Sequence, residues 1–467
     1  METLNIGSRR ELFVDNFLIA SKTNVQFTLH EPRDEGSVLQ FNAPWEGQFC
    51  AYVTVIREGD RFKTYYRGKS ASARDGIGEV TCVAESSDGR KWTKPQLNLI
   101  AVDGTKENNV ILAQDHFSHN FSPFLDVNPK AKADEKYKAI AGYQDSGLKA
   151  FASADGLRWK PMQEIPVLTT NDAPYKYMFD SQNVAFWSPA ENRYLIYFRV
   201  YKDHFRRIAR AEGKDFLHWE NVKLMEYHGA DGQATPIEHL YTSQTHSYFR
   251  APHIYVALAA RFMLGRQVLT AEEAKVIGVH PSYFKDISDA VFMTSRGGNI
   301  YDRTFMTAFI KPGIGAENWV SRTTYPALNT VQTGPNEMSI YVNQNYAQPT
   351  AHLRRYSLRL DGFSSLRAAY EGGEVVTKSL IFSGNRLLLN FSTSAAGGIK
   401  VAILSAAGEP LPGYTFEDSV EVIGNEIERA VRWKNGADIG QLAGRPVQLH
   451  FKMKDADLYA VQFTGQK

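Results

Sequence analysis

Cysteine is scarce in this chain, since Cys50 and Cys82 are the only two among 467 residues. Two cysteines in separate strand-like segments build neither a disulfide framework nor a metal cluster, so both are expected to be small buried hydrophobes. The histidines lack the H-E-x-x-H spacing of a metalloenzyme, and P-loop, G-x-S-x-G and dinucleotide motifs are absent. No cofactor and no catalytic metal are therefore expected, and a single structural Ca²⁺ ion is left open.

Long apolar runs and an excess of one charge are missing too. No run of about 18 apolar residues is present, which predicts no membrane span. The 53 basic and 51 acidic side chains nearly cancel and are interspersed, which argues against nucleic acid or an anionic membrane as the main partner. The opening residues lack the apolar segment of a signal peptide, so a cytoplasmic location is expected, with removal of a leader as the alternative. The oligomeric state is left open.

Helical patterns are nearly absent, and alternating apolar and aromatic segments dominate instead. Examples are AYVTVI at 51–56 and NRYLIYFRV at 192–200, with Gly, Asp, Asn and Pro turns between such segments. This pattern is typical of half-buried strands and predicts an all-β protein. The clearest helical segment is LTAEEAKVIG at 269–278, where Thr270 and Glu273 predict a capping box.

A short motif occurs twice, as SSDGRKW at 86–92 and SADGLRW at 153–159. We expect its Ser and Asp to bond backbone amides in a tight hairpin and its Trp to pack between neighbouring sheets. A weaker copy occurs at 211–219, and segments 295–305 and 358–366 are candidate fourth and fifth copies that lack the Trp. This interpretation makes the motif turn architecture and not catalytic machinery.

The spacing of these copies predicts the fold. A period of roughly 60–80 residues with about four strands per period is typical of propeller blades. Five copies predict an all-β fold with a five-bladed β-propeller over residues 1–365. From residue 366 onward the alternating strands continue without the hairpin, which predicts a C-terminal β-sandwich over residues 366–467.

In a propeller the innermost strands of all blades converge on one axis, so polar residues that begin those strands are the site candidates. Asp180 precedes NVAFWS and Glu337 precedes MSIYV, and a buried carboxylate is costly unless it has a partner or a role. We therefore predict Asp180 and Glu337 as the catalytic pair, with Glu46 and Asp15 as reserves. Structural turns remain the alternative for Glu46 and Asp15. The predicted substrate-binding residues are Trp45, His119, Asn120, Gln182, Glu238, His239, Tyr241, Tyr248 and Arg250.

These residue types indicate a sugar site. Aromatic faces stack on sugar rings, and Asp, Asn, Arg and His bond hydroxyl groups. Cleavage of a glycosidic bond uses two carboxyl groups, one as general acid and one as base or nucleophile. The predicted function is an exo-acting glycoside hydrolase with a carbohydrate substrate. The alternatives are a non-catalytic carbohydrate-binding propeller and a sialidase-like hydrolase, which needs three clustered arginines and a tyrosine nucleophile; Arg199 and Arg250 are candidates for that cluster.

The chain resembles the five-bladed β-propeller glycoside hydrolases of families 32, 43, 68 and 117. It is closest to a family 32-like bacterial group, on the segments LFVDNFLI, FDSQNVAFW and RRYSLRLDGF. Family 32 carries W-M-N-D-P-N-G, R-D-P and E-C motifs on its first three blades. Here PWEGQF has Glu46 in place of the nucleophile, no R-D-P acid is present, and FDSQN puts Asp180 near the position of the general acid. The resemblance implies a glycosidase-like site and does not extend to fructofuranosidase activity.

Overall fold

The computed structural model describes residues 3–465, which divide into two compact units. One unit contains Pro32–Leu358, and the other contains the chain up to Glu31 together with the chain from Arg359 onward. The predicted boundary at residue 365 stays a prediction. Within residues 3–465 no helix is long and apolar enough to cross a membrane.

The strands are given in chain order. The first four are β1 to β4, at Leu4–Gly7, Arg10–Leu12, Ile19–Thr23 and Val25–Leu29, and β5 is at Arg33–Gln40. Strands β6 to β9 are at Ala51–Glu58, Arg61–Gly68, Val80–Ser86 and Val110–Leu112. Strands β10 to β13 are at Ser122–Leu125, Tyr137–Tyr143, Gly147–Ser153 and Lys160–Pro161. Strands β14 to β17 are at Val184–Ser188, Arg193–Lys202, Phe205–Gly213 and Glu220–Leu224.

The remaining elements follow in the same order. Strands β18 to β23 are at Glu226–His228, Leu240–Thr242, Thr245–Tyr248, Ala251–Met263, Ile287–Ser295 and Ile300–Asp302, and helix α1 is at Ala271–Val276. Strands β24 to β27 are at Tyr325–Pro326, Val331–Gln332, Glu337–Gln344 and His352–Arg359. Strands β28 to β33 are at Ser364–Ala368, Gly373–Thr377, Leu380–Phe382, Arg386–Ser405, Asn425–Ala430 and Val447–Thr464. Short 3₁₀ turns lie at Ala133–Glu135, Ala316–Asn318 and Gly440–Leu442.

The unit over Pro32–Leu358 is a five-bladed propeller. Its sheets are β6–β9, β10–β13, β14–β17, the six strands β18–β23, and β24–β27 with β5. Among the innermost strands, β6 lies against β10, β10 against β14, β14 against β20, and β25 against β6. His246 of β20 bonds Thr330, which precedes β25, at 2.7 Å and completes the ring. The all-β fold with a five-bladed propeller, predicted from the hairpin repeat, is confirmed.

The repeated motif forms the expected hairpin. Asp155 Oδ1 accepts hydrogen bonds of 2.8 Å from the backbone N–H groups of Leu157 and Arg158. The Trp159 ring lies 6.4 Å from Tyr65 in the first blade and 4.9 Å from Phe121 in the second. The tryptophan therefore fills the space between two blades, and the motif is structural.

The predicted fifth copy at 358–366 is wrong as a hairpin of the propeller. Strand β28 starts at Ser364 and pairs with β4 and β33, outside the propeller. The outer strand of the fifth blade is β5, which pairs with β27 in an antiparallel register. Strand β5, at the N-terminal end of the propeller segment, therefore closes the ring. This pairing is long-range in sequence, and no local motif predicts it.

The other unit holds β1–β4 and β28–β33 in one ten-stranded sheet. Its long strands β31 and β33 pair over most of their length, with register shifts between Asn390 and Phe391 and between Thr393 and Gly398. The sheet bends there and encloses an apolar core that includes Trp433, which is 2% exposed. This arrangement is consistent with the predicted β-sandwich.

Both cysteines are buried, and the capping box between Thr270 and Glu273 is present.

A glycine in the repeated hairpin tests this architecture. Gly156 has a φ of +74°, and a Cβ at this position would lie 2.6 Å from the Tyr65 hydroxyl in the neighbouring blade. Gly104 has a φ of +82° and no atom within 4 Å of such a Cβ, so it is the matched control. We expect Gly156→Ala to lower the free energy of unfolding by about 1–3 kcal/mol more than Gly104→Ala, as measured by urea denaturation. Equal losses would contradict the close packing of the two blades.

Candidate active site at the mouth of the propeller

A layer of hydrogen bonds joins all five blades on the axis of the propeller. Gln182 Nε2 donates to Thr54 Oγ1 at 2.9 Å and to Ser122 Oγ at 3.4 Å. Gln244 Nε2 donates to Gln182 Oε1 at 2.7 Å and to the backbone oxygen of Pro326 at 2.8 Å. Because each of these residues comes from a different blade, this hub closes the central channel.

The innermost strands begin on one side of the hub, which we call the mouth. Each blade places a side chain at the mouth two or three positions before its hub residue: Tyr52, His119, Asp180, Tyr241 and Thr324. At about 3.3 Å per residue these positions lie roughly 7–10 Å from the hub. The mouth therefore brings together side chains from all five blades, the setting in which ligand sites are usually found.

The backbone is strained where these strands begin. Tyr52, Phe179, Arg322 and Thr324 have φ values of 56°, 66°, 60° and 66°. Left-handed φ is rare for residues other than glycine and is an outlier for a β-branched residue such as threonine. Strain of this kind concentrates at functional sites, where the surrounding structure holds it in place.

One group of charges at the mouth is buried. Glu79 Oε2 accepts a 2.7 Å bond from His119 Nδ1, and Arg67 Nη1 lies 3.8 Å from Glu79 Oε1. Although burial alone would raise the pKa of Glu79, Arg67 and the bond from His119 hold it at about 2. Burial and Arg67 together lower the pKa of His119, so the neutral imidazole donates to the carboxylate. With only 1% of its side chain exposed, Glu79 positions Arg67 and His119 and does not reach a ligand.

A second carboxylate is accessible. The side chain of Asp180 is 29% exposed and forms an ion pair with Arg199, whose side chain is 4% exposed. Burial and the Asp180 carboxylate raise the pKa of Tyr143, which therefore stays protonated beside Asp180. An ion-paired carboxylate is a hydrogen-bond acceptor, which suits it to take a proton from a ligand or from water.

Three guanidinium groups surround Tyr241. The Cζ atoms of Arg199, Arg322 and Arg206 lie 4.6, 5.2 and 5.6 Å from the centre of its ring. Burial alone would raise the pKa of this phenol, but Arg322 and Arg199 outweigh it and lower the pKa below its ordinary value. Tyr241 is thus a stronger acid than an ordinary tyrosine, next to the arginine that pairs with Asp180.

Aromatic rings from three segments complete one side of the mouth. Phe49 lies 5.6 Å from Tyr283 and 5.5 Å from Tyr346, and these two tyrosines lie 5.6 Å apart. Phe49 precedes β6, Tyr346 follows β26, and Tyr283 comes from the segment between β21 and β22 that contains α1. Such rings offer flat apolar faces for a sugar ring beside hydroxyl groups that can donate hydrogen bonds.

The structure brings together three of the predicted site residues, Asp180, His119 and Tyr241. Gln182 belongs to the hub, where its amide is engaged on both sides. Asn120 Nδ2 donates to the backbone oxygens of Phe179 and Ser181, and its Oδ1 accepts from the backbone N–H of Gly142. Asn120 therefore joins the second blade to the third and is not available to a ligand.

The predicted pairing of Asp180 with Glu337 requires a correction. Glu337 begins β26, which pairs with the innermost segments β24 and β25 and is the second strand of its blade. Its carboxylate lies at the end opposite to the mouth and accepts bonds from Arg90 Nη2 at 2.9 Å and Arg355 Nη1 at 3.0 Å. Since Arg90 belongs to the hairpin of the first blade, Glu337 joins the fifth blade to the first. It does not share a site with Asp180.

The reserve acids have structural contacts as well. Glu46 is 1% exposed, and it accepts bonds from Tyr66 Oη at 2.6 Å and Lys94 Nζ at 2.6 Å. Asp15 belongs to the other unit, where its Oδ1 accepts a 3.0 Å bond from the backbone N–H of Phe17 in a turn. Trp45 donates its indole N–H to Asn109 Oδ1 at 2.8 Å and packs on the core of the first blade. Neither Glu46 nor Trp45 lies among the converging side chains of the mouth.

The remaining predicted binding residues come from the fourth blade. Glu238 forms ion pairs with Arg261 at 2.9 Å and Arg303 at 2.5 Å. His239 Nδ1 accepts a 3.3 Å bond from the backbone N–H of Arg206, and its ring packs on Phe205. Tyr248 and Arg250 come at and after the end of β20, so they lie on the side of the hub away from the mouth.

Sequence reasoning named Arg199 only as a candidate for the arginine cluster of the sialidase-like alternative, and it missed most of the other charged and aromatic side chains of the mouth. Arg67, Tyr143 and Arg199 come from the second strands β7, β11 and β15, at or near the end that faces the mouth. Those strands carry the repeated segments YYRG, AGY and YFRV. A polar residue at the same place in each apolar strand was the sequence signal that could have identified these side chains. The other missed residues are Tyr52, Lys69, Glu79, Arg206, Tyr283, Arg322 and Tyr346. Among residues 3–465 no group of three or more His, Cys, Asp or Glu side chains could hold a metal ion.

No protein-family model and no curated protein matches the sequence. Solved structures to which the chain is similar include exo-inulinase from Aspergillus awamori, at 13% identity and a TM-score of 0.40 over 91% of this chain and 99% of that chain. The family 32 β-fructofuranosidase of Bombyx mori matches at 10% identity and a TM-score of 0.41 over 94% and 95%. An N-acetylgalactosamine deacetylase from F. plautii in complex with blood group B trisaccharide matches at 11% identity and a TM-score of 0.44 over 73% and 97%.

The likeness to five-bladed propeller glycoside hydrolases, expected from the sequence, is thus found at low identity. The activity of this chain is inferred from its own side chains.

Glu79 makes the stability of the mouth depend on pH. Its pKa is about 2 in the folded protein against an ordinary 4.5, so its stabilisation is complete above about pH 4.5 and is lost as the pH falls toward 2. The difference corresponds to roughly 3 kcal/mol. We expect Glu79→Gln to abolish most of this pH dependence in urea denaturation between pH 5 and 2, whereas Glu272→Gln on the exposed side of α1 leaves it intact. An unchanged slope in Glu79→Gln would contradict the buried pairing.

Proposed function

We propose that the chain is an exo-acting glycoside hydrolase whose reaction takes place at the mouth of the propeller. One observation carries this proposal: the accessible carboxylate of Asp180 and the acidic phenol of Tyr241 both contact Arg199, at the mouth of a funnel lined with aromatic rings. The hub supports the exo mode, because a channel closed at its floor admits the end of a saccharide and not its middle.

The two groups divide the work of hydrolysis. Asp180, as the base, takes a proton from a water molecule while the water oxygen bonds to the anomeric carbon. The glycosidic C–O bond breaks with its electron pair on the leaving oxygen, which takes the phenolic proton of Tyr241. Transfer of the proton from Asp180 to the Tyr241 phenolate restores both groups. Because Glu79 is buried and Glu337 lies on the opposite side of the hub, this division replaces the predicted pair of carboxylates.

A second assignment is favoured by the three arginines around Tyr241. In the sialidase-like alternative a tyrosine is the nucleophile, and clustered arginines stabilise its ionised form. Tyr241 would then bond to the anomeric carbon as the phenolate while the glycosidic C–O bond breaks with its electron pair on the leaving oxygen, which takes a proton from solvent. Water that gives its proton to Asp180 would next displace the tyrosine oxygen and restore the phenolate, and Asp180 would return that proton to solvent. The two assignments use the same residues and differ in the protonation state that Tyr241 needs at the start of the reaction.

Conservative variants test the proposed function. We expect Asp180→Asn and Tyr241→Phe each to lower kcat by at least about 100-fold on a hydrolysed saccharide, because each removes a proton acceptor or donor at the reacting atoms. Glu337→Gln is the control, since it changes a carboxylate on the opposite side of the hub, and its turnover should stay near normal. The assay is product release from a panel of aryl glycosides and oligosaccharides. Near-normal turnover by Asp180→Asn would refute the assignment, and binding without turnover across the panel would support a carbohydrate-binding propeller instead.

The pH profile separates the two roles of Tyr241. If Tyr241 is the acid, kcat/KM falls on the alkaline side as the phenol loses its proton, and Arg322→Gln moves that fall to higher pH because Arg322 lowers the pKa of Tyr241. If Tyr241 is the nucleophile, kcat/KM instead rises with pH through the same pKa. The first profile supports the acid role, and the second replaces it with the nucleophilic role.

A further inference from the structure

The charges of the mouth do not cancel. Arg67 pairs with Glu79, Lys69 with Asp75, and Arg199 with Asp180. Two more guanidinium groups, those of Arg206 and Arg322, form no ion pair with any residue between 3 and 465. Each of these three carboxylates thus has its own cation, and two cations remain.

Both remaining arginines occupy defined positions. Their Cζ atoms lie over the ring of Phe262, at 5.0 Å for Arg206 and 5.9 Å for Arg322, as well as over Tyr241. Arg322 also lies 4.6 Å from the centre of the Tyr283 ring. Arg206 belongs to β16 in the third blade and Arg322 precedes β24 in the fifth, so two blades place two half-buried cations on the same pair of rings.

Arg322 lies in strained backbone and carries a buried donor without a partner among residues 3–465. Its own φ is 60° and that of Thr324 is 66°. Its Nε atom is buried and has no hydrogen-bond partner among the described residues. A buried N–H donor without an acceptor costs free energy, and water cannot easily supply that acceptor at this position. The guanidinium group of Arg322 therefore lacks a hydrogen-bond acceptor for its Nε–H group within the described part of the chain.

Like charges placed on the same two rings repel each other, and an anion between them removes this cost. The planar fork of a guanidinium group matches the oxygens of a carboxylate or a sulfate group with two parallel hydrogen bonds. The neighbouring rings of Tyr241, Phe262 and Tyr283 exclude water and strengthen these bonds. The mouth is therefore complementary to an anion that is attached to an apolar ring face.

We propose that Arg206 and Arg322 bind an anionic group of the substrate, so that the substrate is an acidic saccharide with a carboxylate or a sulfate group. The inference rests on the proposed function for its assumption that the ligand is a saccharide. It goes beyond that function by naming the class of saccharide and the two residues that select it. The near-zero net charge of the whole chain is compatible with an anionic substrate, because a ligand at the mouth interacts with the local excess of positive charge there.

Matched pairs of ligands test the proposal. The probes are uronic-acid oligosaccharides and the same compounds after reduction of the carboxyl groups, and sulfated oligosaccharides with their desulfated counterparts. Binding is measured by calorimetry on Asp180→Asn, and turnover on the unchanged protein. We expect the acidic member of one pair to bind at least about tenfold more tightly than its neutral counterpart, with weaker binding at high ionic strength. The pair that shows the difference identifies the anion as carboxylate or sulfate.

Arginine variants show whether the two residues are responsible. Arg206→Gln and Arg322→Gln should each lower affinity for the acidic probe about tenfold or more and leave affinity for the neutral probe nearly unchanged. Arg322→Lys keeps the positive charge but loses the planar guanidinium fork. Its affinity for the acidic probe should lie between those of the unchanged protein and Arg322→Gln. The control is Arg158→Gln, an exposed arginine of the second-blade hairpin, which should change neither affinity.

The outcomes separate this inference from the proposed function. Equal binding of acidic and neutral probes, an acidic preference that survives both glutamine variants, or no binding of any acidic probe would overturn the inference. Turnover of neutral saccharides alone would keep the proposed function and reject the inference. Tight binding of an acidic probe without turnover would keep the inference and reject hydrolysis.

Discussion

The hydrogen-bonded hub of Gln182 and Gln244 is the constraint on which the propeller depends. Its two buried amides contact residues from every blade, and Thr54 and Ser122 complete the layer from the first two. Buried amides are costly unless they are hydrogen-bonded, so the ring of blades must close at one size for the layer to form. The same layer crosses the axis of the propeller, and the mouth residues take their positions from it.

The mouth combines two uses of charge. Glu79 is fully buried and holds Arg67 and His119 in place, which is a structural use of an ion pair. Asp180 is partly exposed, and its partner Arg199 also contacts Tyr241. Arg199 thus links a carboxylate that can accept a proton to a phenol that is more acidic than usual. Buried charges seldom add stability over apolar residues of the same size. Their concentration at one end of the axis, together with strained backbone, is better explained by ligand chemistry than by folding.

The sequence predicted the architecture better than the site. The hairpin with Asp155 and Trp159 has local hydrogen bonds and a local packing role, so its repetition revealed the blades. Asp180 was found because a carboxylate before a buried strand is unusual. Glu337 was misplaced because the inner strand of its blade is short and broken, and the longer apolar run after Glu337 belongs to the second strand. The arginines of the mouth meet only through the closure of the ring, which is a long-range contact that local patterns do not carry.

The central claim, that the mouth is the site of chemistry, is tested most directly by a crystal structure of Asp180→Asn with a bound acidic oligosaccharide. The account predicts that the terminal sugar lies above the hub and against Tyr283, with its glycosidic oxygen within hydrogen-bond distance of the Tyr241 hydroxyl. Its acidic group should contact Arg322. A saccharide bound on the opposite side of the hub, or in the unit that contains the β-sandwich, would contradict the account.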